Sequence, residues 1–205
     1  MTNKRHPQSM LAIVAGIIGI LGLASAITTD IIGGIVVNQY NPISETISDL
    51  AAGQNSWIHD LGLQLGGIGI IACAIGLYIW NLDGWRWKIA CIFFMLLGGD
   101  LIIIARRDVY GDNIPTGVEI HIYLVLFLGF TVSIVAWLLS YGMKRLGTTW
   151  DYLNRGMAIV WIILAPIFFI VPDSWNGAYE RGLGFLLVAW IASLCWLLIR
   201  EGKRD

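Results

Sequence analysis

The sequence predicts an all-α polytopic membrane protein: six transmembrane helices in three hairpins, with a short amphipathic helix in the first outer loop. Three observations predict it. The 205 residues are 57% hydrophobic and only 13% charged, whereas a soluble domain carries roughly 25% charge. The apolar residues gather into six stretches, each long enough to cross the ~30 Å hydrocarbon layer of a bilayer. Lys and Arg gather on one side of those stretches, as the positive-inside rule requires.

The chain opens Met1-Thr2-Asn3-Lys4-Arg5-His6-Pro7 and turns apolar at Met10. A signal peptide opens in the same way. Here the apolar run exceeds the usual 7–15 residues and no small-x-small site closes it. It reads as a retained first helix, Met10–Thr29, extending toward Val37. A polar loop follows, Asn38–Trp57. The second span is Ile58–Trp80 and the third Trp87–Ile104. The loop Arg106–Gly117 leads to a fourth span, Val118–Tyr141. The fifth, Met157–Val171, is the shortest, and Pro166 is expected to kink it. The sixth is Ala178–Ile199. Six helices and short loops consume the length, so residues 1–205 are expected to form one transmembrane domain. The 24 Gly and 10 Trp suit close helix packing and the headgroup zone.

Orientation follows from the cations. With the N-terminus in the cytoplasm, ten of the 13 Lys and Arg lie inside and only Arg106, Arg107 and Arg181 lie outside. Both termini are then cytoplasmic, in the cell (plasma or inner) membrane. Acids show the opposite bias. Asp30, Glu45, Asp49, Asp60, Asp100, Asp108, Asp112, Glu119, Asp173 and Glu180 lie toward the outer face. Acids contribute little to topology, so this second bias needs another cause. A net charge of -1 presents no basic surface and argues against a nucleic-acid partner. Cys73, Cys91 and Cys195 fall in the inner halves of their helices. Their spacing makes no metal motif, and they read as free thiols packed as small hydrophobes.

The outer loop carries Asn41-Pro42-Ile43-Ser44-Glu45-Thr46-Ile47-Ser48-Asp49-Leu50-Ala51-Ala52-Gly53. Asn41 suits an N-cap, Pro42 the first helical position and Gly53 the stop. Ile43, Ile47 and Leu50 share one face; Ser44 and Ser48 form a second line, Glu45 and Asp49 a third. This is an amphipathic helix at the outer interface. Either its Ser and acid residues face water, or Ser48 and Asp49 point down into the bundle.

The same decapeptide, Asn41 to Leu50, resembles the first-loop signature of domain-of-unknown-function family 998. The resemblance continues at Gly117 to His121, where a Gly and a His open a helix. It returns at Ala178-Tyr179-Glu180-Arg181, similar to the family's Glu-Arg pair at the last helix. Thr116 stands where a second His is often found beside the Gly, so a two-His site in that region is not carried over. The resemblance covers nearly the full chain. It implies six helices and a bacterial or archaeal envelope protein, and it implies no activity.

The helices that enter from outside all open on ionisable groups: Ile58-His59-Asp60, Glu119-Ile120-His121 and Tyr179-Glu180-Arg181. Asp30 ends the first helix, and Asp100 follows Gly98-Gly99 near the outer end of the third. The macrodipole favours an acid at a helix N-terminus by about 0.3–1 kcal/mol, which alone can account for Asp60, Glu119 and Glu180. Asp100 has no such excuse. A charge there costs on the order of 3 kcal/mol, so a partner such as Arg181, Arg106 or Arg107 is expected.

Three chemistries suit these groups. Ser44 or Ser48 with a His and an acid can attack an ester or amide. Two His with Asp49, Asp60 or Asp100 can hold a metal. Two His can flank a haem. None has a diagnostic spacing, so metal and cofactor stay unassigned. The candidate catalytic residues are Asp49, His59, Asp100 and His121; the candidate ligand-binding residues are Ser44, Ser48, Glu180 and Arg181. The expected function is an outward-facing polar pocket that binds, or also processes, a lipid or amphiphilic small molecule. The alternative is a non-enzymatic scaffold or accessory subunit whose Gly and Trp faces pack against a membrane-protein partner or a second copy. A transporter ranks third, for lack of an inverted repeat or paired broken helices.

Overall fold

The computed structural model describes residues 9–52, 55–106 and 115–204. Lys4, Arg5, Gly53, Arg107, Asp108, Asp112 and Asp205 lie outside the described residues, as does the side chain of Glu119. Seven α-helices form: α1 (Ser9–Val36), α2 (Ile47–Ala52), α3 (Ser56–Trp80), α4 (Trp85–Ile104), α5 (Pro115–Met143), α6 (Thr148–Ile167) and α7 (Asn176–Gly202). Two short 3₁₀ turns, Phe168–Ile170 and Asp173–Trp175, link α6 to α7. No strand occurs among the described residues. Six of the helices are long and apolar enough to span a bilayer, and the chain is a multi-pass membrane protein. Its outward surface carries Leu21, Ile35, Phe130 and Ile163, each more than half exposed, as hydrocarbon-facing positions should be.

The end of α3 follows from local chemistry. Asn81 closes α3 in the left-handed conformation (φ 51°), and its N–H reaches the Leu77 carbonyl. Asn takes that conformation more readily than most residues. Two expectations need correction. Residues 148–156 extend α6 by more than two turns ahead of Met157. Their polar groups are satisfied in place. Arg155 Nε donates to Asp151 at 2.6 Å, and Asn154 accepts from Trp190 Nε1 at 3.0 Å. The amphipathic helix is shorter than the thirteen-residue segment it was read from. Residues 42–44 form a turn, and α2 begins at Ile47.

The packing order is α6–α5–α4–α3–α1–α7, and α6 meets α7 only sparsely. The first two hairpins are therefore tightly packed, while the third is splayed. Glycines close the α1–α3–α7 wall. A Cβ on Gly22 would overlap the Leu65 carbonyl, one on Gly62 the Thr29 side chain, and one on Gly16 the Cys195 carbonyl. Backbones can approach this closely only at small residues. The glycine faces of α1 and α3 are thus used within the chain.

The half of the bundle away from α2 is closely packed where α3, α4, α5 and α7 meet. Cys73, Leu77, Trp87, Phe94, Leu139, Leu194 and Cys195 are fully buried there. A small cavity of about 260 Å³ lies between α6 and α7 beside Trp190. All three cysteines are free and buried. The half beneath α2 is not filled.

Candidate functional site

Beneath α2 lies a cavity of about 450 Å³, within the usual range for small-molecule sites. Its walls are apolar: Leu23, Leu63, Ile70, Val125, Leu128, Trp161, Leu187 and Ile191, from α1, α3, α5, α6 and α7. Phe169 and Phe185 also line it yet are 50% and 56% exposed. Together with the thin α6–α7 contact, this opens the cavity sideways between those two helices. Its polar lining is confined to one end: Asp30, Ser48, His59, His121, Glu180 and Arg181.

The ceiling is built around Arg181. Its Nε and one terminal nitrogen donate to the two Asp30 oxygens at 3.1 and 3.0 Å, the two-pronged geometry that guanidinium favours. That second nitrogen also donates to the Tyr40 hydroxyl at 2.5 Å. The third nitrogen reaches the carbonyls of Pro42 (2.9 Å), Glu45 (3.0 Å) and Gly177 (3.2 Å). All five N–H groups of the guanidinium therefore have protein acceptors. The Arg181 guanidinium also lies 5.5 Å from the Tyr40 ring centre. Tyr40 in turn donates its hydroxyl to the loop carbonyl of Thr46 at 2.7 Å. Burial pushes the Tyr40 phenol up to about 12, so it stays protonated.

The loop is laid onto α7 by further contacts. Ile47 N–H donates to Glu180 at 2.6 Å, and Ala178 N–H donates to the Ile43 carbonyl at 2.9 Å. Gly177 is required at this crossing, because a Cβ would overlap the Glu45 carbonyl. Asn41 accepts from Ile43 N–H at 3.0 Å, closing a turn of the Asx kind. Thr46 and Asp49 then form a capping box. Asp49 accepts from Thr46 N–H at 2.8 Å, and Asp49 N–H donates to the Thr46 hydroxyl at 3.0 Å. This explains where α2 starts: the Thr46 hydroxyl accepts the N–H three residues on, as an N-cap does, whereas Asn41 accepts only from Ile43 and closes a single turn.

Two histidines face the cavity. Ser48 Oγ and His121 Nε2 lie 3.2 Å apart. His121 Nδ1 is buried without a hydrogen-bond partner among the described residues. His59 is 2% exposed, and both of its ring nitrogens lack a partner among the described residues. It lies within electrostatic range of Asp30 and Arg181.

Five of the eight residues singled out in the sequence thus line one cavity: Ser48, His59, His121, Glu180 and Arg181. Three do not. Ser44 sits in the turn before α2. Asp49 points back into its capping box. Asp100 is 4% exposed on α4, and its Oδ2 has no partner among the described residues. Arg181 is bound elsewhere, and Arg106 reaches toward Gln64 at 3.5 Å. Sequence reading did not select Tyr40 or Asp30 for the site. An acid ending an apolar helix and the one Arg opening another were the available signal, since each needs the other in hydrocarbon.

The Ser48–His121 contact is one across which an imidazole can accept a hydroxyl proton. An acid on His121 Nδ1, which would orient the ring, is not found among the described residues. Nor does any group of three His, Cys, Asp or Glu there have the arrangement of a metal site. What the geometry does provide is a hydrogen-bonding ceiling over an apolar, side-opening chamber. No curated protein and no solved structure matches the chain. A family model does match residues 20–197, nearly the whole of it, and the chain belongs to the family described as protein of unknown function (DUF998).

Proposed function

We propose that this membrane protein binds one amphiphilic molecule, a lipid or a lipid-like compound, taken from the bilayer. The tail enters between α6 and α7 and lies among the apolar walls; the polar end rests under the α2 cap. The observation that carries this reading is the pairing of an apolar cavity of about 450 Å³ with buried, unpartnered His59 nitrogens at one end of it. A buried polar group without a partner costs about 1–3 kcal/mol, and a bound head group would supply the missing bonds.

The cap faces outward in this reading, with both termini cytoplasmic and the chain in the plasma or inner membrane. Support comes from the split of ten cations against three. An impermeant thiol reagent on intact cells should label Ser56→Cys in a background lacking Cys73, Cys91 and Cys195. Protection there, with labelling of a Cys placed at Gly147, would reverse the orientation.

The binding test is mass spectrometry of molecules that co-purify in mild detergent. Gly184 lines the cavity, and a Cβ there meets open space. Gly184→Phe should therefore fill the chamber without disturbing the fold. The wild type should carry a stoichiometric amphiphile that Gly184→Phe lacks. Equal cargo in both would exclude the cavity as its seat. A stoichiometric protein in place of a small molecule would favour the scaffold alternative.

A further inference from the structure

We infer that the cavity selects an uncharged head group that both donates and accepts hydrogen bonds, such as a hydroxyl or amide, and rejects phosphate and other anions. The inference rests on the amphiphile-binding reading and names its ligand class.

Three observations carry it. First, the one cation among the described lining residues is unavailable. Each N–H of Arg181 already has an acceptor in Asp30, Tyr40, Pro42, Glu45 or Gly177. An anion would have to displace Asp30 from a two-pronged pair whose partners are 14% and 18% exposed. Second, the ceiling has no surplus positive charge. Asp30 balances Arg181, and Glu180 adds a second carboxyl. Ionised, it repels an anion; protonated, it leaves the end neutral. Desolvating a phosphate against either arrangement is strongly unfavourable. Third, the unpartnered groups have the wrong form for an anion and the right form for a hydroxyl. A neutral imidazole offers one N–H and one lone pair. Both His59 nitrogens are buried and unpartnered among the described residues. A ligand that satisfies them must accept one bond and donate another. His121 Nδ1 offers one more position. A carboxylate or phosphodiester can only accept, and leaves one nitrogen of His59 orphaned.

The same reasoning disfavours a primary ammonium head. It only donates, and so leaves the N–H of His59 without an acceptor; Asp30 is already held by Arg181, and one oxygen of Glu180 by Ile47 N–H.

The experiment uses the full chain in nanodiscs of a zwitterionic phospholipid. Binding is measured for three probes that share the monounsaturated hydrocarbon tail of oleic acid: monooleoylglycerol, oleoyl lysophosphatidate and oleylamine. Monooleoylglycerol should bind about tenfold or more tightly than either charged probe, the size expected when one charged group is left unmatched. His59→Phe should weaken monooleoylglycerol by about tenfold, while His59→Gln, which keeps a donor and an acceptor, should restore most of it. Lysophosphatidate or oleylamine binding as tightly as monooleoylglycerol would overturn the head-group inference and leave the amphiphile site standing. Equal monooleoylglycerol binding by wild type and a folded His59→Phe would also overturn it. Failure of all three probes to bind the folded wild type would overturn the amphiphile reading itself.

Discussion

Trp190 and His59 are both buried aromatic rings with polar nitrogen, one in each half of the bundle. Trp190 Nε1 donates to Asn154 at 3.0 Å, and Trp87 Nε1 nearby donates to the Leu77 carbonyl at 2.5 Å. His59 is buried to the same degree and has no acceptor or donor among the described residues. In the lower half both buried indole nitrogens are matched within the chain. The upper half is a chamber whose polar atoms are matched around its rim, at Arg181, but not at its centre. Membrane helix bundles gain little from burying apolar surface against one another, because lipid is equally apolar. The proposal that the void holds a ligand rests on this contrast, a void bordered by an unmatched polar group.

The largest test of this contrast is Arg181→Leu. It removes the cation paired with Asp30 and the guanidinium donor to the loop carbonyls of Pro42 and Glu45 and to the Gly177 carbonyl of α7. Removing one partner of a buried ion pair costs about 3–5 kcal/mol. Thermal unfolding in detergent should show the loss, and limited proteolysis should cut the loop at residues 41–46. Retained stability would mean that the rim does not hold the cap.

Tyr40 belongs to that rim and predicts a pH dependence with a definite sign. Its phenol is raised from 10.0 to about 12, chiefly by burial. The folded state then holds this proton more tightly than the unfolded state does. Stability should be flat up to about pH 10 and should fall as pH rises toward 12. Tyr40→Phe should remove that part of the fall. An unchanged alkaline profile in Tyr40→Phe would show that the phenol titrates freely.

The next test sets the two halves against each other directly. Asn154→Leu strands Trp190 Nε1 in the filled core and should cost about 1–3 kcal/mol, with no effect on amphiphile binding. His59→Phe removes an orphan instead of making one, so it should leave the unfolding temperature unchanged or higher. If His59→Phe proves as destabilising as Asn154→Leu, His59 is a structural residue with a partner.

These contrasts also mark what the sequence made legible. Span length alone located every transmembrane helix, because hydrocarbon thickness sets that length. It failed at residues 148–156. Their charged and amide groups look like a loop until Asp151–Arg155 and Asn154–Trp190 are seen to pair them. The Glu180–Arg181 pair and the two His stood out as ionisable groups in apolar surroundings. Which of them would be satisfied was not legible, since that depends on which side chains meet across helices. Arg181 looked free to hold a ligand and is instead fully engaged. Asp49 looked like a catalytic acid and instead caps α2. A Thr-x-x-Asp spacing was present at residues 46–49 and is the signal that locates that cap.

Thr46→Ala should therefore act locally. Loss of an N-cap hydroxyl costs about 0.5–2 kcal/mol. Asp49→Ala should cost a similar amount, and the double variant little more, because the two residues serve one reciprocal contact. Full additivity would mean that Asp49 makes a separate contribution.

The smallest effect is expected at the opposite end, at a pair that resembles the rim only on paper. Arg145 donates to Asp83 at 2.9 Å, much as Arg181 donates to Asp30. Yet the Arg145 side chain is 58% exposed and that of Arg181 only 14%. Solvent screens the first pair, and an exposed ion pair contributes about 0–1 kcal/mol. Arg145→Ala should thus barely move the unfolding temperature, and added salt should weaken what effect there is. Arg181→Leu should be nearly insensitive to salt, because a buried pair is poorly screened. If both variants lost stability equally and with equal salt dependence, burial would not be what separates the two ends, and the special standing of the rim would fall with it.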